Sequence, residues 1–526
     1  MSDGYKNQTR INNKLSLFLL SILLAIFVFL RVKIYFGFAR TYTDSDQALL
    51  WYTAKEIMHG RFHEPCFYGQ AYNSWIEALL AVPLIALGVS YSCALPLISS
   101  LLFLLSILFL VDLLRKESTL AATVFLSMIL MLPAEFHYIT SIPRGFVTGI
   151  SVATLGLWLF NKMKSPYRFL VLSFGYTLGF VLNPNAVFLF FLIPENELPA
   201  FNRKNKNLKI LALGILLGLL PYFYAKIFYH LHPDYIIHHS DIFRFKAKNY
   251  LDTLPKIESE FSPAFFLRSP LFTFSTFLLS FLWLLRFKDF KRGAVLAFLA
   301  VAALLGMDKA KDSNGTLFLP AFRSLLALPL YVAWNFSHLT AKPPLWEKFM
   351  RLDKVNTLFF SSLIVLGTWA GVSNIAHLND DLRPLLDNSS YTLSNSQLSK
   401  KCDELESVMQ ANHLELFVVP TDQSLLGYAC PVLNPKIESL VTGYERRVWH
   451  CNEEKRLNRT GFFATELEKT EVDSLSKAGI KVTPFSSESL SASLFVGHRL
   501  EFNKPTSVLD VLALAQLDCR KNSTAQ

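Results

Sequence analysis

Two acidic residues, Asp44 and Asp46, lie in the segment TYTDSDQALLWYTAKEIMHG, residues 41–60, directly after the first long apolar run of the chain. A carboxylate in such a position can orient and deprotonate a hydroxyl group as its oxygen attacks a carbon atom. Residues two apart in an extended segment point to the same side, so the two acids could act together. Taken alone, however, such a residue is more often a solvated loop acid or a helix cap in front of Ala48.

The composition indicates a membrane protein, which defines the surroundings of these acids. Of the 526 residues, 52% are hydrophobic and 17% are charged, and the mean hydropathy is +0.32. A soluble protein of this length would be more polar. The first apolar run, residues 15–30 with 34–38 beyond it, lacks a small-residue cleavage site, so we expect it to remain as a signal-anchor helix. The sequence therefore predicts an integral, multi-pass membrane protein.

Further apolar runs have roughly the length, about 17 to 25 residues, that a helix needs to cross a bilayer. Clusters of Lys and Arg follow every second run, and Lys6, Arg10 and Lys14 precede the first. Short loops rich in Lys and Arg stay in the cytoplasm, so residues 1–376 are predicted to form an all-α polytopic domain of about eleven spans with the amino terminus inside. The predicted spans are residues 15–38, 94–114, 120–136, 145–160, 169–182, 186–194, 210–228, 271–285, 293–307, 317–336 and 355–375.

The segment WIEALLAVPLIALG, residues 75–88, is apolar but too short to span a bilayer, and it contains Glu77. Counting it as a span would move the later basic clusters to the outside. We therefore interpret it as a helix at the outer membrane interface; the alternative is a short true span with one later segment miscounted. This arrangement places residues 38–75, with both aspartates, in a first outer loop.

Basic residues on the outer side are exceptions to the charge rule, and they suggest a bound anion. At the depth of the lipid headgroups the expected anion is phosphate, which a planar guanidinium group binds well. Arg144 in SIPRGFVTG and Arg323 in FLPAFRSLLALPL each stand at the outer mouth of an apolar helix. An ordinary loop charge is the simpler interpretation of the others, which are Lys55, Arg61, Arg244, Lys246, Lys248, Arg268, Lys309 and Lys311.

Three segments carry a resemblance to a known family. They are TDSDQALLWYTAKEIMHGRF (43–62), FYGQAYNSWIEALLAVPLIALG (67–88) and RSLLALPLY (323–331). Together they resemble bacterial members of the multi-spanning C-type (GT-C) glycosyltransferases, whose relatives include protein O-mannosyltransferases, lipid A aminoarabinose transferases and rhizobial galacturonosyltransferases. The resemblance covers the first outer loop well, the helical body loosely and the C-terminal part hardly at all. It implies a membrane enzyme that uses a polyprenyl-phosphate-linked sugar.

In that family a first-loop Asp, usually followed by Glu, acts on the acceptor, and basic residues hold the donor phosphate. The resemblance implies that Asp46 is this acid; Gln47 replaces the usual Glu, and Asp44 could supply the second carboxylate. The departing phosphate needs no general acid, so an inverting hexosyl or pentosyl transfer requires one base and opposing cations. The candidate catalytic residues are thus Asp46 and Asp44, and the candidate substrate- and phosphate-binding residues are Arg144, Arg323, Lys55, Arg61, Gln47, Tyr68, Gln70 and Glu77.

A histidine-rich outer segment, YHLHPDYIIHHSDIF (229–243), contains residue types that bind divalent metals. Its spacing matches no specific metal site, and ordinary loop polarity at the lipid boundary is the favoured interpretation. We therefore expect no metal and no cofactor, because the lipid-linked sugar is itself a substrate.

Residues 377–526 are more polar and are predicted to form a small extracytoplasmic α/β domain. CDELESVMQANHLELFVVP and SLSKAGIKVTPF each have the pattern of a helix followed by a strand. The region contains no catalytic motif, so we expect an accessory role in acceptor recognition. Its cysteines could pair in an oxidising compartment or remain free thiols; they are Cys402, Cys430, Cys451 and Cys519.

Two other functional classes remain as alternatives. The interruption Asn183-Pro184-Asn185 would suit a transporter or flippase of a lipid-linked or small solute, but charges are nearly absent from the middle of the spans, where ion-coupled carriers need them. A membrane oligosaccharide ligase or oligosaccharyltransferase shares the architecture, but the chain lacks the Trp-Trp-Asp motif of the latter. The expected partners are a polyprenyl-phosphate sugar, a glycan, lipid or protein acceptor and membrane lipids, with no nucleic acid. The resemblance implies a bacterial inner membrane.

Overall fold

The structure is a computed structural model of the chain. It describes residues 2–67, 73–193, 206–233, 235, 244–285, 291–311, 323, 325–341, 353–389, 392–419, 424–442, 456–458, 460–463, 467–488 and 494–515. Helices dominate the described residues up to 389, and most strands follow residue 392.

Among the described residues, four helices are long and apolar enough to cross a membrane: Lys14–Ala39, Tyr91–Glu117, Lys206–Leu231 and Leu358–Ala376. Shorter apolar helices of 10–17 residues accompany them. The chain is therefore an integral membrane protein, as its composition predicts. The number of eleven spans stays a prediction, because several of the other helices are shorter than a bilayer usually requires.

Within the described residues, the predicted spans correspond to helical segments of unequal length. Residue 194 of the sixth predicted span and residues 317–322 and 324 of the tenth lie outside the described residues. In chain order the elements up to the last predicted span are α1 (Ser2–Ile34) with a π-helical turn (Tyr35–Ala39), β1 (Tyr42–Asp44), α2 (Ser45–Met58), α3 (Ile76–Ala86), α4 (Tyr91–Glu117), α5 (Thr119–Leu130), α6 (Ala134–Ile139), α7 (Thr148–Lys162), α8 (Arg168–Leu182), a 3₁₀ helix (Pro184–Leu192), α9 (Lys206–Leu231), α10 (Pro270–Leu284), α11 (Lys291–Leu305), α12 (Leu328–Ala341) and α13 (Asp353–Ala376). Short helical turns occur at Asn249–Thr253, Leu254–Lys256, Ile257–Glu260, Ser262–Ala264, Phe266–Arg268 and Asp308–Lys311.

Proline breaks the helical backbone at two places, once inside a predicted span and once between two predicted spans. The predicted span 120–136 is divided, because α5 ends at Leu130 and α6 begins after Pro133, which cannot donate a helical hydrogen bond. The segment that begins at Asn183 continues as a 3₁₀ helix, and the Asn183 side chain accepts a hydrogen bond from the backbone N–H of Asn185. At the first break, Asn374 Nδ2 donates to the carbonyl oxygen of Leu132 at 2.9 Å. The second break supplies the side chains of Asn183 and Asn185 to the candidate site.

Helices α7 and α8 pack closely through glycine. A Cβ atom at Gly156 would lie 3.1 Å from the Cα atom of Gly175, and one at Gly149 would lie 2.5 Å from the carbonyl oxygen of Gly179. Small residues allow helices to approach in this way inside a membrane. The close pair places the segment before α7 beside Asn183, at the end of α8.

The carboxyl ends of α4, α7 and α12 lie close together. This agrees with the predicted topology, in which the three helices cross the membrane in the same direction. Lys162 Nζ lies 3.2 Å from Asp112 Oδ2, and His338 Nδ1 lies 2.9 Å from Glu117 Oε2. These helices are the second, fourth and tenth predicted spans, which should all run from the outer to the inner side. Which face of the protein meets the cytoplasm stays a prediction.

The described residues after 377 combine helices with a five-stranded mixed sheet. Strand β3 is parallel to β4 and β6, while β8 is antiparallel to β6 and β7, in the order β4-β3-β6-β8-β7. The separation of this part as a domain after residue 376 stays a prediction. The elements are α14 (Leu378–Asp387), β2 (Thr392–Ser394), α15 (Asn395–Ala411), β3 (Leu416–Val419), α16 (Ser424–Leu433), β4 (Ser439–Val441), β5 (Arg456–Leu457), β6 (Thr460–Phe463), α17 (Lys469–Lys477), β7 (Lys481–Glu488), β8 (Leu494–Glu501), β9 (Thr506–Ser507) and α18 (Val508–Leu514).

This C-terminal part is joined to the first outer loop. Strand β1 pairs with β2, which places Asp44 opposite Thr392. The Thr43 hydroxyl donates to Asn395 Oδ1 at 2.5 Å, and Asn395 Nδ2 donates to the carbonyl oxygen of Arg40 at 2.6 Å. Buried residues of α2, α3, α15 and α16 form one hydrophobic core. The C-terminal part therefore holds both the strand and the helix that carry the aspartates.

A disulfide between Cys402 in α15 and Cys430 in α16 crosslinks residues 28 positions apart, whose Cα atoms are separated by 5.2 Å. Cys451 and Cys519 lie outside the described residues. Replacing Cys402 and Cys430 with serine is expected to lower the free energy of unfolding by about 2–4 kcal/mol, because the crosslink restricts the unfolded chain. Thermal unfolding with and without reductant checks this: reductant should lower the midpoint of the wild type alone. An equal response of both proteins would contradict it.

Candidate active site

Asp44 caps the amino end of α2. Its Oδ1 accepts a hydrogen bond from the backbone N–H of Gln47 at 3.0 Å, and its Oδ2 accepts one from Gln47 Nε2 at 2.8 Å. Asp44 and Gln47 are each only 1% exposed. A cap of this kind satisfies the free N–H groups of the first helical turn. Gln47, at the position of the family's second acid, therefore supports Asp44 through two hydrogen bonds.

Arg144 bridges the two aspartates. Its Nη2 lies 2.5 Å from Asp46 Oδ2 and 3.4 Å from Asp44 Oδ1. Arg144 is buried with Asp44, whereas a quarter of the Asp46 side chain is exposed, at 25%. Asp46 is therefore the acid of this pair that a ligand can contact, and Asp44 lies behind it.

The charge of Asp44 depends on its neighbours. Burial has the largest effect and raises the pKa of the Asp44 carboxyl group, and the negative charge of Asp46 raises it further. The Arg144 cation and the two donors of Gln47 oppose this rise. Arg144 thus stabilises a negative charge that would be costly in this buried position without it.

Two side chains of the first outer loop and α3 hold the Arg144 segment. Asn73 Nδ2 donates to the carbonyl oxygen of Arg144 at 2.7 Å. Glu77 Oε2 accepts from the backbone N–H of Gly145 at 2.9 Å, and its Oε1 accepts from the Thr148 hydroxyl at 3.2 Å. Glu77 is completely buried with both oxygens occupied. The structure therefore places Glu77 behind the arginine as a positioning group; direct contact with phosphate stays a prediction.

The interruption after α8 holds the same segment from the other side. Asn183 Nδ2 donates to the carbonyl oxygen of Gly145 at 3.0 Å, and Asn185 Nδ2 donates to that of Phe146 at 2.9 Å. Each carbonyl lies between α6 and α7, where helical hydrogen bonds are absent. Side-chain amides supply the missing donors, and they fix the backbone that carries Arg144.

Gly145 provides a test of this fixed backbone. Its φ is +71°, and a Cβ atom there would lie within 2.8 Å of Asn73 Cγ and closer still to Asn73 Oδ1. Gly145→Ala is expected to reduce the rate of sugar transfer about 10²-fold, because it displaces Arg144. It should also lower the free energy of unfolding by about 1–2 kcal/mol, because alanine disfavours the left-handed conformation. Gly60→Ala is the matched control, since Gly60 has a φ of +74° and no atom within 4 Å of the added carbon. Thermal unfolding measures the loss of stability, and transfer rates measure the loss of activity. An equal loss of activity in both variants would contradict the proposed role of the backbone at Gly145.

Arg323 joins the site through Phe146. The guanidinium carbon of Arg144 lies 5.6 Å from the centre of the Phe146 ring, and that of Arg323 lies 4.9 Å from the same centre. Both distances allow a cation–π contact. The structure thus brings together the two arginines that the sequence places at separate helix mouths.

Lys55 and Arg61 lie at the other end of α2. Lys55 is eleven residues beyond Asp44, roughly 16 Å along a helix, and its Nζ donates to the carbonyl oxygen of Pro431 at 2.9 Å. Arg61 Nε lies 2.7 Å from Glu56 Oε2, and half of its side chain is exposed. The structure does not bring these two cations to the aspartates. Tyr68 and Gln70 lie outside the described residues.

Several residues that shape the site were not among those predicted from the sequence. Arg31 near the end of the first apolar run is buried, and its Nη1 donates to the carbonyl oxygen of His137 at 2.6 Å and to the Thr140 hydroxyl at 2.8 Å. These bonds fix the end of α6, five residues before Arg144. Two features of the sequence could have indicated these residues. Arg31 is a charged residue within an apolar run, and Asn183 and Asn185 flank a proline directly after α8.

Metal binding has no structural counterpart in the part of the chain that is described. Within those residues, no group of three or more His, Cys, Asp or Glu side chains could hold a metal ion. Most of the histidine-rich segment, residues 234 and 236–243, lies outside the described residues.

The fold resembles solved structures, although no protein-family model and no curated protein sequence matches the chain. ArnT from Cupriavidus metallidurans in the apo state matches with a TM-score of 0.50 and 11% identity, over 91% of this chain and 97% of that one. The same protein bound to undecaprenyl phosphate matches with a TM-score of 0.52 and 10% identity, over 91% and 98%. An apo oligosaccharyltransferase from Archaeoglobus fulgidus matches with a TM-score of 0.48 and 12% identity, over 97% and 78%.

The chain therefore has the fold of the multi-spanning C-type glycosyltransferases, and the resemblance predicted from the first outer loop is confirmed at the level of fold. Within that class, the fold is similar to that of ArnT over nearly the whole length of both chains. Identities of 10–11% establish the likeness of fold alone.

Proposed function

We propose that the chain is an integral membrane glycosyltransferase that moves a sugar from a polyprenyl-phosphate-linked donor to an acceptor hydroxyl group at the outer face of the membrane. The observation that carries this proposal is the cluster of Asp46 and Arg144 with Asp44 behind them and Arg323 beside them. One accessible carboxylate next to two guanidinium groups is the set that such a transfer requires. The ArnT structure with bound undecaprenyl phosphate supports a polyprenyl-linked donor.

The proposed reaction is a single displacement at the anomeric carbon. Donor phosphate binds to Arg144 and Arg323, which frees Asp46 from its ion pair with Arg144. Asp46 then accepts the proton of the acceptor hydroxyl while the oxygen of that hydroxyl bonds to the anomeric carbon. The bond from this carbon to the phosphate oxygen breaks, and its electron pair leaves with polyprenyl phosphate, where the two arginines stabilise the charge. Because the hydroxyl attacks opposite the leaving group, the configuration at the anomeric carbon of the hexose or pentose is inverted.

The remaining polar residues of the site have supporting roles in this proposal. Asp44 and Gln47 fix the start of α2 and hold Arg144, and Glu77 fixes the backbone after Arg144. Lys55 in the last turn of α2 binds the carbonyl oxygen of Pro431, and Arg61 beyond the end of α2 pairs with Glu56. Both lie too far from the aspartates to hold the same phosphate. We propose a bacterial inner membrane as the location, with the site facing the periplasm and a glycan, lipid or protein as acceptor.

Mass spectrometry of surface glycans, glycolipids and glycoproteins tests this function. Cells that lack the gene should lose one hexose or pentose from a surface structure, and the wild-type gene should restore it. Identical glycan profiles with and without the gene, under conditions in which it is expressed, would contradict the proposal.

A further inference from the structure

A small cavity with a few polar side chains in a mainly apolar lining lies beside the first outer loop, at the ends of α8 and α9. This cavity has a volume of about 110 Å³, and its lining includes Cys66, Asn73, Ser74, Tyr222 and Lys226. It borders the candidate active site, because Asn73 also donates to the carbonyl oxygen of Arg144 at 2.7 Å. The reaction proposed above uses none of the other four side chains.

Ser74 contributes a hydroxyl group that lacks a partner within the described part of the chain. The residue is 6% exposed, and its Oγ is buried without a hydrogen bond to any described residue. Leaving a buried hydroxyl unsatisfied costs free energy, so such groups usually have a partner in the functional state. Since Ser74 lines the cavity, a ligand in the cavity can supply that partner.

Lys226 gives the cavity a positive charge. Its ammonium group lies 5.6 Å from the centre of the Tyr222 ring, and no carboxylate among the described residues forms an ion pair with it. Burial raises the pKa of the nearby Cys66 thiol to about 11, so that thiol stays neutral at physiological pH. The Tyr229 hydroxyl, which also lines the cavity, donates to Glu64 Oε2 at 2.8 Å, so that carboxylate already has a hydrogen-bond partner. The donors that the cavity offers to a ligand are then the Lys226 ammonium and the serine hydroxyl, which together favour an oxyanion.

The position of Lys226 on α9 indicates the source of that oxyanion. Apolar residues of α9 such as Leu213, Leu216 and Leu220 are exposed, as expected for a face in contact with lipid. Lys226 lies five residues before the end of this helix at Leu231, about 7.5 Å along its axis. A lysine at that depth reaches the level of the lipid headgroups.

We propose that this cavity binds the phosphate of a membrane lipid, held by the Lys226 ammonium and the Ser74 hydroxyl. The site is separate from the arginine pair, but the Asn73 side chain, which lines the cavity, also contacts the Arg144 backbone. A lipid phosphate held here is positioned to move on to Arg144 and Arg323. The phosphate can belong to the polyprenyl donor or to a bulk phospholipid, and its identification as the donor's rests on the proposed function.

Native mass spectrometry of the full-length protein in detergent tests the site with two probes, undecaprenyl phosphate and phosphatidylglycerol. Native mass spectrometry counts bound lipids, so a lipid in the cavity appears as a second undecaprenyl phosphate beside the one at the arginine pair. Lys226→Gln should weaken binding of this second lipid by about tenfold or more, because it removes a charge-assisted hydrogen bond. Ser74→Ala should weaken it by about threefold to tenfold. Lys209→Gln is the matched control, since Lys209 is an exposed lysine near the other end of the same helix. It should bind the lipid as the wild type does.

The possible results distinguish the donor lipid from a bulk phospholipid, and a site in the cavity from a lysine on the surface. Loss of affinity for undecaprenyl phosphate alone assigns the site to the donor, whereas an equal loss for phosphatidylglycerol assigns it to a bulk lipid phosphate. Wild-type affinity of Lys226→Gln for both probes would overturn the proposal. If Lys226→Gln binds lipid more weakly but Ser74→Ala binds it as the wild type does, the cavity is not the binding site and Lys226 acts as a surface charge. Sugar transfer is not measured here, so failure of the proposed function would leave these binding results unchanged.

Discussion

Replacing Asp46 with asparagine is expected to reduce the rate of sugar transfer by about 10²- to 10⁴-fold, the usual contribution of a positioned general base. Asparagine keeps the size of the side chain and its capacity for hydrogen bonds but cannot accept the proton. Donor binding should remain close to that of the wild type, because Arg144 keeps its contact with Asp44. Transfer rates at saturating donor, together with the Kd for the donor lipid, measure the two effects separately.

Asp44→Asn is the control for this experiment. Asparagine caps helices as well as aspartate, so the hydrogen bond to the Gln47 backbone should persist and the protein should fold. A smaller loss than that of Asp46→Asn is expected, since only 1% of Asp44 is exposed. An active Asp46→Asn with an inactive Asp44→Asn would show that the base is misassigned. Two active variants would refute the mechanism.

Replacing Arg144 with lysine is expected to lower kcat/KM for the donor by about tenfold to a hundredfold, while the protein still inserts into the membrane. Lysine retains the charge, but a point charge cannot contact Asp46, Asp44 and a phosphate with the planar geometry of a guanidinium group. Arg323→Lys should show a similar loss, because Arg323 lies on the same Phe146 ring. Initial rates over a range of donor concentrations measure this effect.

The lysine variants are preferable to alanine variants. Removing Arg144 entirely would leave the buried Asp44 carboxylate without its cation, and such a loss usually costs about 3–5 kcal/mol of stability. A defect of Arg144→Ala could then reflect misfolding. Wild-type rates for both lysine variants would show that another cation holds the phosphate.

The central residues of the site were predictable because their chemistry conflicts with their surroundings. Asp46 follows a long apolar run, and Arg144 and Arg323 stand at helix mouths where the charge rule disfavours basic residues. The supporting residues were less accessible to this reasoning. Glu77 was predicted to bind the substrate, but its carboxylate accepts hydrogen bonds from the backbone N–H of Gly145, 68 residues away, and from the Thr148 hydroxyl. Only tertiary structure shows such a contact.

The same distinction applies to the fold. Apolar length and basic clusters predict where membrane helices occur, because both are local properties of the chain. Pro133 gave a local signal for the break between α5 and α6 that the hydropathy of residues 120–136 conceals. The attachment of β2 and α16 to the first outer loop has no local signal, since it arises from packing between segments about 350 residues apart. The role of the C-terminal part in holding β1 and α2 was therefore not foreseen.

Release of polyprenyl phosphate by the purified protein is the sharpest test of the proposed sugar transfer. Purified protein in detergent would be mixed with an envelope extract of cells that lack the gene, which should contain both the donor and the unmodified acceptor. We expect the wild type to convert a polyprenyl-phosphate sugar to polyprenyl phosphate, detected by liquid chromatography and mass spectrometry, and Asp46→Asn to do so at least about a hundredfold more slowly. A flippase would release nothing, because detergent provides no second leaflet. No release by the wild type, or equal release by both proteins, would contradict the account.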